Sequence, residues 1–517
     1  MFDRIKRLGA ETAVYGVSTI LGRFLTFLLT PLYANVLPPA DLGMVATVFA
    51  YIAFLNVLYN YGMDSAFMKH VSLSDGKDEE SPESNDHSSR TVAPHGKRAK
   101  EVFTTAFISV LGTSFLFSAF IVLSASLLTN VIHVPESHGA IIPYAAAILF
   151  LDAVTLVPFA SLRMEGKARR FAAIRIAGIA ANVVCTVLFL VRDNMGIDGI
   201  FLAGVISSAL TVVLLIPTIG KNLHFTFPPG LYRALVSFGL PMVPAGLAGM
   251  AIQVIDRPIL EALTDKATVG IYQANYRLGI FMMLVVSMID FAWKPFFFNH
   301  SNDPDARKIF ARVLTYVVLL MAILFVILGL FLEDIVTAPL FLGYSILPEA
   351  YWVGMSIIPI VMLGYMFLGV AGIFSAGLYI TKKTSMLPLA TFTGAAVNIG
   401  ANFLFIPMFG IMGAAVATLL SYAAMAAMMY TMSARVYSVQ YEFGRILKIG
   451  GAVAIVFLLH ALLLPLDIAL VGKFFLVILF GGLMVIMKFG DPSEIAALRK
   501  MFMSGKSSPQ PLDDQSL

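Results

Sequence analysis

Fourteen long apolar runs dominate the sequence and limit what the chain can fold into. Most hold twenty or more residues. A bilayer core is crossed by about 20 residues of helix, whereas a barrel strand has about ten residues of alternating polarity. Only 13% of the residues are charged, against about 25% in soluble domains. We therefore predict an all-α membrane protein with fourteen transmembrane helices. The predicted spans are 10–37, 42–69, 101–132, 140–162, 171–191, 198–219, 234–263, 269–293, 309–332, 351–380, 386–406, 411–433, 447–466 and 469–487.

Lysine and arginine separate the loops into two classes. With the N-terminus inside, 29 of the 35 basic residues fall in inner segments, including the run from Arg163 to Arg175, and three fall in outer loops. The positive-inside rule then predicts cytoplasmic N- and C-termini. The three remaining basic residues lie within spans, and these are Arg23, Arg257 and Arg277.

The segments between the spans offer little room for a soluble domain. The apolar run after the basic N-terminus has no small-residue cleavage site, so we predict an uncleaved first helix. Residues 73–98 and the end of the chain from Ser504 are polar and rich in Ser, Pro and acidic residues, which predicts disordered cytoplasmic segments. The outer loops are short and leave no space for an external catalytic domain. The single cysteine, Cys185, excludes an intrachain disulfide.

Spans four to six resemble spans ten to twelve. Lys167 matches Lys382, Asn182 matches Asn398, and the turn at Gly196 matches the turn at Gly410. The copies lie six spans apart and run in the same direction, which indicates two parallel six-helix lobes. We predict lobes at 1–219 and 220–436, two additional helices at 437–490 and a tail at 491–517.

Several motifs resemble one transporter superfamily in order and topology. The sequence is similar to the multidrug/oligosaccharidyl-lipid/polysaccharide exporters, and within them to the polysaccharide transporter branch of Wzx-type O-antigen flippases. The resemblance covers the whole membrane portion, and none of its motifs is a catalytic signature. It is carried by NYGMDSAFMKH (60–70), RMEGKARRFAAIRI (163–176), IDRPIL (255–260), VGIYQANYRLG (269–279), WKPFFF (293–298), GLYITKKTSMLP (377–388) and NFLFIPMFGIMGAAVATLLSY (402–422).

The resemblance implies a V-shaped pair of lobes with a central cavity that opens to each side in turn. Such a transporter moves a polyprenyl-pyrophosphate-linked oligosaccharide between leaflets of the bacterial inner membrane. The two additional helices resemble those that form a lipid-tail groove in peptidoglycan-precursor flippases. The first lobe departs from that subgroup because a single deep arginine, Arg23, stands where a cluster is expected, which argues against lipid II as substrate.

The three arginines within spans are candidate substrate ligands. Arg23 lies roughly 21 Å below the outer end of its span at 1.5 Å per residue, near the middle of the bilayer. A charge there costs at least about 2.5 kcal/mol unless something neutralises it. Guanidinium geometry suits a diphosphate, and the alternative is a pair with Asp152. Arg257 and Arg277 can likewise either bind the ligand or form ion pairs within the protein. For Arg257 the spacing favours an ion pair, because Glu261 lies four residues later on the same helix face.

Other polar residues within the spans are candidates for sugar binding or ion coupling. A buried carboxylate can exchange a proton or bind a sodium ion as its surroundings change. Amide and phenol groups can bind sugar hydroxyls, although they also serve as ordinary packing groups in membrane bundles. The candidates for coupling are Asp152, Asp64, Asp256 and Asp290, and those for sugar binding are Gln253, Asn60 and Tyr276.

Two other functions remain open. A multidrug or toxin extruder of the same superfamily would bind cations, and a polysaccharide polymerase or ligase would carry a large external loop. The sequence has no phosphate-binding GxxxxGK[ST] motif and no Cys/His metal cluster, and its basic runs flank membrane spans, so we expect no cofactor and no nucleic-acid partner. We expect a monomer in the lipid bilayer, with a polysaccharide polymerase as a potential partner.

Overall fold

The computed structural model describes residues 20–75, 96–132, 134–224, 226–339, 345–463, 470–487 and 489. Within these residues the regular structure is helical and contains no β-strand, as the sequence predicts. The α-helices are α1 (Ile20–Val36), α2 (Pro39–Asn60), α3 (Met63–Asp75), α4 (Lys97–Leu123), α5 (Ala125–Val131), α6 (Ile141–Met164), α7 (Ala168–Val187), α8 (Gly196–Asn222), α9 (Pro229–Gly239), α10 (Val243–Val254), α11 (Asp256–Leu263), α12 (Lys266–Leu278), α13 (Ile280–His300), α14 (Ala306–Thr337), α15 (Ile358–Phe374), α16 (Ala376–Ile380), α17 (Leu387–Phe409), α18 (Ile411–Val436), α19 (Phe443–Leu463) and α20 (Leu470–Ile486).

Twelve helical segments of the described chain are long and apolar enough to cross a membrane. Two shorter apolar helices, α1 and α20, coincide with the first and last predicted spans. The all-helical membrane architecture is therefore confirmed, while the count of fourteen crossings and their orientation stay predictions. Residues 1–19, which include the basic N-terminus and the start of the predicted uncleaved first helix, lie outside the described residues, as do residues 76–95 of the predicted loop and the tail 491–517. Residues 73–75 and 97–98 are helical.

The helices group into two compact units. Unit 1 contains α1 to α13 and α15 to α18, and unit 2 contains most of α14 together with α19 and α20. The predicted boundaries of the lobes, at 219 and 436, stay predictions. Both six-helix lobes of the prediction contribute helices to unit 1, so contacts between their helices can be described there.

The internal repeat is visible in the packing of unit 1. Helix α8 packs on α6 and α7, and α18 packs on α15 and α17 in the same pattern. The Ser207 hydroxyl donates a hydrogen bond of 2.8 Å to the Gly178 carbonyl, and the Ser421 hydroxyl donates one of the same length to the Gly394 carbonyl. Each glycine lies four residues before the matched asparagine of its copy. The two copies therefore preserve the same contact between helices.

Two glycines let helices of the two predicted lobes touch through their backbones. A Cβ atom at Gly43 of α2 would lie 1.8 Å from the Lys266 carbonyl oxygen, and one at Gly270 of α12 would lie 1.9 Å from the Pro39 carbonyl oxygen. Nearby, Asn35 donates a hydrogen bond of 2.9 Å to the Ser345 carbonyl. Only glycine permits so close an approach, and we call this contact of α2 with α12 the glycine crossing.

Unit 2 is joined by polar contacts at one end and aromatic contacts along its length. The Thr315 hydroxyl of α14 donates to the Glu442 carboxylate at 2.8 Å, and Arg445 of α19 donates to the same carboxylate at 3.0 Å. The rings of Phe325 and Phe457 lie 5.3 Å apart between their centroids. Burial of these rings joins α14 to α19.

Candidate functional site

A cavity of about 780 Å³ in unit 1 is lined by charged side chains from both predicted lobes. Helices α1, α6, α7 and α8 form most of its wall, and Arg277 enters from α12. Four arginines and one aspartate line it, a formal net charge of +3, and we call it the arginine cavity. Cationic groups at membrane depth are costly without neutralisation, so this wall is suited to a multiply charged anion. The charged residues are Arg23, Arg163, Arg175, Arg277 and Asp152.

Two of these arginines form hydrogen bonds across the two predicted lobes. The Arg23 guanidinium of α1 donates to the Ser287 hydroxyl of α13 at 2.5 Å. The Arg277 guanidinium of α12 is 3.5 Å from the Thr30 hydroxyl of α1, a long and weak contact. Both donors face neutral acceptors, so their charges are not compensated by these bonds.

A buried carboxylate fixes the connection from which Arg163 and Arg175 enter the cavity. Glu165, only 3% exposed in its side chain, accepts hydrogen bonds from Lys167, from Asn222 at 3.1 Å and from the Ser161 hydroxyl at 2.9 Å. Burial raises the pKa of Glu165, but the hydrogen bonds outweigh it and hold the pKa below its ordinary value. The ionised carboxylate therefore joins the end of α6 to the start of α7 and to α8.

Asp152 is the single acid of the arginine cavity. Its carboxylate accepts a hydrogen bond of 2.7 Å from the Ser208 hydroxyl of α8. The predicted alternative, a pair between Arg23 and Asp152, is not formed within 4.0 Å, although both side chains line the same cavity. Asp64 lies 4.0 Å from Arg163 and so stands beside the same group of charges.

A second cavity, of about 350 Å³, lies among α13, α15, α17 and α18. Arg23 lines this cavity as well as the arginine cavity, so its side chain stands where the two meet. Asp290 and Lys294 line it and form an ion pair of 3.6 Å on α13. We refer to it as the second cavity.

Asp256 and Arg257 form a buried cluster that lines neither cavity. Arg257 donates to the Asp256 carboxylate at 2.6 Å and to the Gln273 amide oxygen at 3.0 Å, and its guanidinium lies 4.3 Å from the centre of the Tyr276 ring. The Tyr272 hydroxyl donates to Asp256 at 2.5 Å. The partner of Arg257 is therefore Asp256 rather than Glu261. This geometry favours a structural ion pair over a ligand contact for Arg257.

The remaining predicted sugar ligands are dispersed. Gln253 is exposed, donates to the Gly249 carbonyl at 3.3 Å, and accepts from Arg257 through its own carbonyl. Asn60 is half-buried, and its buried side-chain oxygen has no hydrogen-bond partner among the described residues. Tyr276 is buried against Arg257. None of the three lines either cavity, and their role as ligands stays a prediction.

The sequence interpretation missed Arg175. It counted Arg175 among the basic residues of the inner segments, although Arg175 lies within the predicted span 171–191, and did not consider it as a ligand; in the structure α7 begins at Ala168 and Arg175 lies two turns into this membrane-length helix. The first lobe thus supplies three arginines to the cavity, Arg23, Arg163 and Arg175, instead of one. The argument against lipid II that rested on a single arginine loses its basis. The signal that could have found Arg175 is its position four residues inside the predicted span 171–191.

Comparison with known proteins assigns the chain to a family. Residues 8–301, more than half of the sequence, match the family described as polysaccharide biosynthesis protein. The chain belongs to the polysaccharide biosynthesis protein family. This confirms the predicted place among polysaccharide exporters of the superfamily. No curated protein matches the sequence.

Solved structures with the same fold are membrane transporters. The lipid II flippase MurJ in an inward closed conformation is 14% identical, with a TM-score of 0.66 over 95% of this chain and 100% of that one. An inward-facing MATE family multidrug transporter of the MOP superfamily is 14% identical, with a TM-score of 0.62 over 83% and 96%. The Vibrio cholerae MATE transporter VcmN in its bent form is 15% identical, with a TM-score of 0.53 over 84% and 98%. This polysaccharide biosynthesis protein therefore has the MurJ and MATE fold.

Proposed function

We propose that the protein is a flippase that moves an undecaprenyl-pyrophosphate-linked oligosaccharide, a repeat unit of O-antigen, capsule or exopolysaccharide, from the inner to the outer leaflet of the cytoplasmic membrane. The observation that carries the proposal is the arginine cavity, with a formal net charge of +3 between helices of both predicted lobes. Membership of the polysaccharide biosynthesis protein family and the fold shared with a lipid II flippase support it.

The diphosphate would be bound by the arginines. A diphosphate carries several negative charges, and planar guanidinium groups donate paired hydrogen bonds to phosphate oxygens. Arg163 and Arg175 line the cavity from the end of α6 and from α7, and Arg23 and Arg277 line it from α1 and α12. The polyprenyl tail would remain in the bilayer, which removes the cost of exposing it to water.

Transport would proceed by alternating access of the two six-helix lobes. In the structure Arg23 donates to a hydroxyl of the facing predicted lobe, and Arg277 makes a longer and weaker contact of the same kind. A bound diphosphate competes for the same donors, because each N–H group can serve only one strong acceptor. Substrate binding would therefore weaken the contact between the lobes and favour the movement that transfers the headgroup.

Asp152 is our first choice for coupling to a proton or sodium ion. It lies among the four arginines, where its charge state changes the total charge offered to the diphosphate. An ionised Asp152 reduces the attraction for the substrate, whereas a protonated one restores it. Asp64 beside Arg163, Asp290 in the second cavity and the buried Asp256 follow as weaker candidates.

The fold alone is also compatible with a multidrug extruder, because MATE transporters share this fold. The charge of the cavity distinguishes the two functions. An organic cation entering a cavity with a net charge of +3 is repelled, and an anionic diphosphate is attracted. We therefore place the multidrug function second and the polymerase or ligase function third.

The test is flipping in proteoliposomes that contain a fluorescent polyprenyl-diphosphate saccharide, with leaflet position read by quenching from outside. The wild type should transfer the label, and Arg23→Gln and Arg175→Gln should slow transfer at least tenfold. Arg170→Gln is the matched control, because Arg170 is an exposed residue of the same α7 and lines neither cavity. Equal transfer in protein-free vesicles, or by all three variants, would refute the proposal.

A further inference from the structure

The second cavity differs in chemistry from the arginine cavity that it meets at Arg23. Apart from Arg23, the charged residues that line it are Asp290 and Lys294, which cancel each other. Its other polar groups are hydroxyls and aromatic side chains. The residues that matter here are Ser287, Asp290, Trp293, Lys294, Tyr379 and Thr391.

The ion pair of this cavity is open to solvent although it lies on a membrane-length helix. Asp290 and Lys294 lie within α13, and each side chain is 50% exposed. Charges so exposed at membrane depth have to face a water-filled space rather than lipid. A solvated pair separated by 3.6 Å contributes little to stability. Both groups are therefore available to exchange hydrogen bonds with a ligand.

The aromatic side of the cavity is fixed in place. Trp293 is 3% exposed and stacks on Phe296, with ring centroids 5.7 Å apart. Tyr379 packs on Phe297 at 5.9 Å. The buried Trp293 supports this wall, and the half-buried ring of Tyr379 faces the ligand space. An aromatic ring beside hydroxyls and one balanced ion pair matches the chemistry of a sugar, whose C–H faces lie on rings and whose hydroxyls need both donors and acceptors.

We infer that the second cavity is a saccharide subsite that accepts a neutral sugar, next to the diphosphate held in the arginine cavity. The inference rests on the proposed function. Arg23 lines both cavities, which matches a ligand whose sugar is joined directly to its phosphate. A sugar acid fits less well, because its carboxylate would compete with Asp290 for Lys294 and leave two negative groups side by side.

The size of the subsite depends on Gly372. A Cβ atom at this glycine of α15 would lie 3.6 Å from the Asp290 carboxylate oxygen, an ordinary contact distance. Gly372→Ala should therefore fold normally and fill space beside Asp290. Gly400→Ala in α17 is the matched control, because a Cβ atom there meets nothing within 4 Å.

The experiment uses the intrinsic fluorescence of Trp293 in the purified protein. The chain has two tryptophans, so Trp352→Phe leaves Trp293 as the single reporter. Three short-chain polyprenyl diphosphates are titrated: one without sugar, one with a neutral hexose and one with a hexuronic acid. We expect the hexose form to bind about tenfold more tightly than the sugarless form, as two hydrogen bonds to charged groups allow. We expect the hexuronic acid form to bind only slightly more tightly than the sugarless form.

Variants then show which residues produce the higher affinity for the hexose form. Gly372→Ala and Asp290→Ala should both abolish the tenfold preference for the hexose form. Gly372→Ala changes no charge and should leave affinity for the sugarless form unchanged, while Gly400→Ala should keep the preference. Equal affinity for the sugarless and hexose forms, or an equal loss for both in Gly372→Ala, would overturn the subsite. If the proposed flippase function itself is wrong, the result is different. In that case none of the three lipids binds, or Arg175→Gln leaves affinity for the sugarless form unchanged.

Discussion

Replacing Gly43 by alanine should separate the two helices of the glycine crossing. The added methyl group would lie 1.8 Å from the Lys266 carbonyl oxygen, whereas ordinary contact begins at 3.4 Å, so α2 and α12 have to move apart by about 1.6 Å. Overpacking of this kind costs typically about 1–3 kcal/mol. If the strain is relieved in a conformation with the lobes apart, the ratio of the two conformations shifts by roughly 5- to 150-fold.

The assay is the distance between spin labels on Ala40→Cys and Ala262→Cys, in a background with the single native cysteine replaced by serine. Both positions are exposed and lie beside the crossing. Gly43→Ala should raise the long-distance population, and Gly112→Ala is the control because a Cβ atom there meets nothing within 4 Å. Identical distance distributions in the two variants would show that the crossing does not set the conformational equilibrium.

Three further predictions concern charged groups. Ser287→Ala removes the hydroxyl that accepts from Arg23 at 2.5 Å, so affinity for a sugarless polyprenyl diphosphate, measured by titration, should rise severalfold; a loss would mean that Ser287 itself holds the diphosphate. The pKa of Glu165 is held below its ordinary value of 4.5, so its contribution to the unfolding free energy is present above that pH and is lost as the pH falls through the lower folded value. Thermal unfolding followed from pH 7 to pH 3 should show this loss in the wild type and a flatter profile in Glu165→Gln. Asp256→Asn should cost about 3–5 kcal/mol by leaving the buried Arg257 unpaired, and the pair replacement with Arg257→Gln should recover part of that loss in a melting experiment.

The helices and the repeat were predictable because they depend on local signals. Runs of about 20 apolar residues define spans without reference to tertiary structure. The match of Asn182 with Asn398 predicted related helices, and the equal hydrogen bonds of Ser207 and Ser421 in the structure agree with it. These signals repeat along the chain, so an error at one position does not change the overall assignment.

The site was less predictable because it depends on which side chains meet across helices. Arg175 lies within the predicted span 171–191, but it was counted among the inner basic residues, and only the packing of α7 shows that it lines the cavity. A spacing of four residues sets Arg257 beside Glu261 on α11. In the structure the carboxylate of the adjacent Asp256 accepts from the guanidinium instead. Such choices between partners arise from packing between helices, which no local pattern encodes.

The arginines of the cavity suggest how movement of the lobes can depend on the substrate. Arg23 donates to Ser287 and Arg277 lies 3.5 Å from Thr30 across the two predicted lobes, so the groups proposed to bind substrate also contact the facing lobe. A neutral saccharide without its diphosphate would offer no charge to draw these guanidinium groups away. A diphosphate without its sugar would draw them away. On the proposed function, the diphosphate alone therefore releases the contact between the lobes. This predicts that the sugarless polyprenyl diphosphate is flipped in the proteoliposome assay, and that a polyprenyl-linked saccharide without the diphosphate is not flipped even when it is saturating.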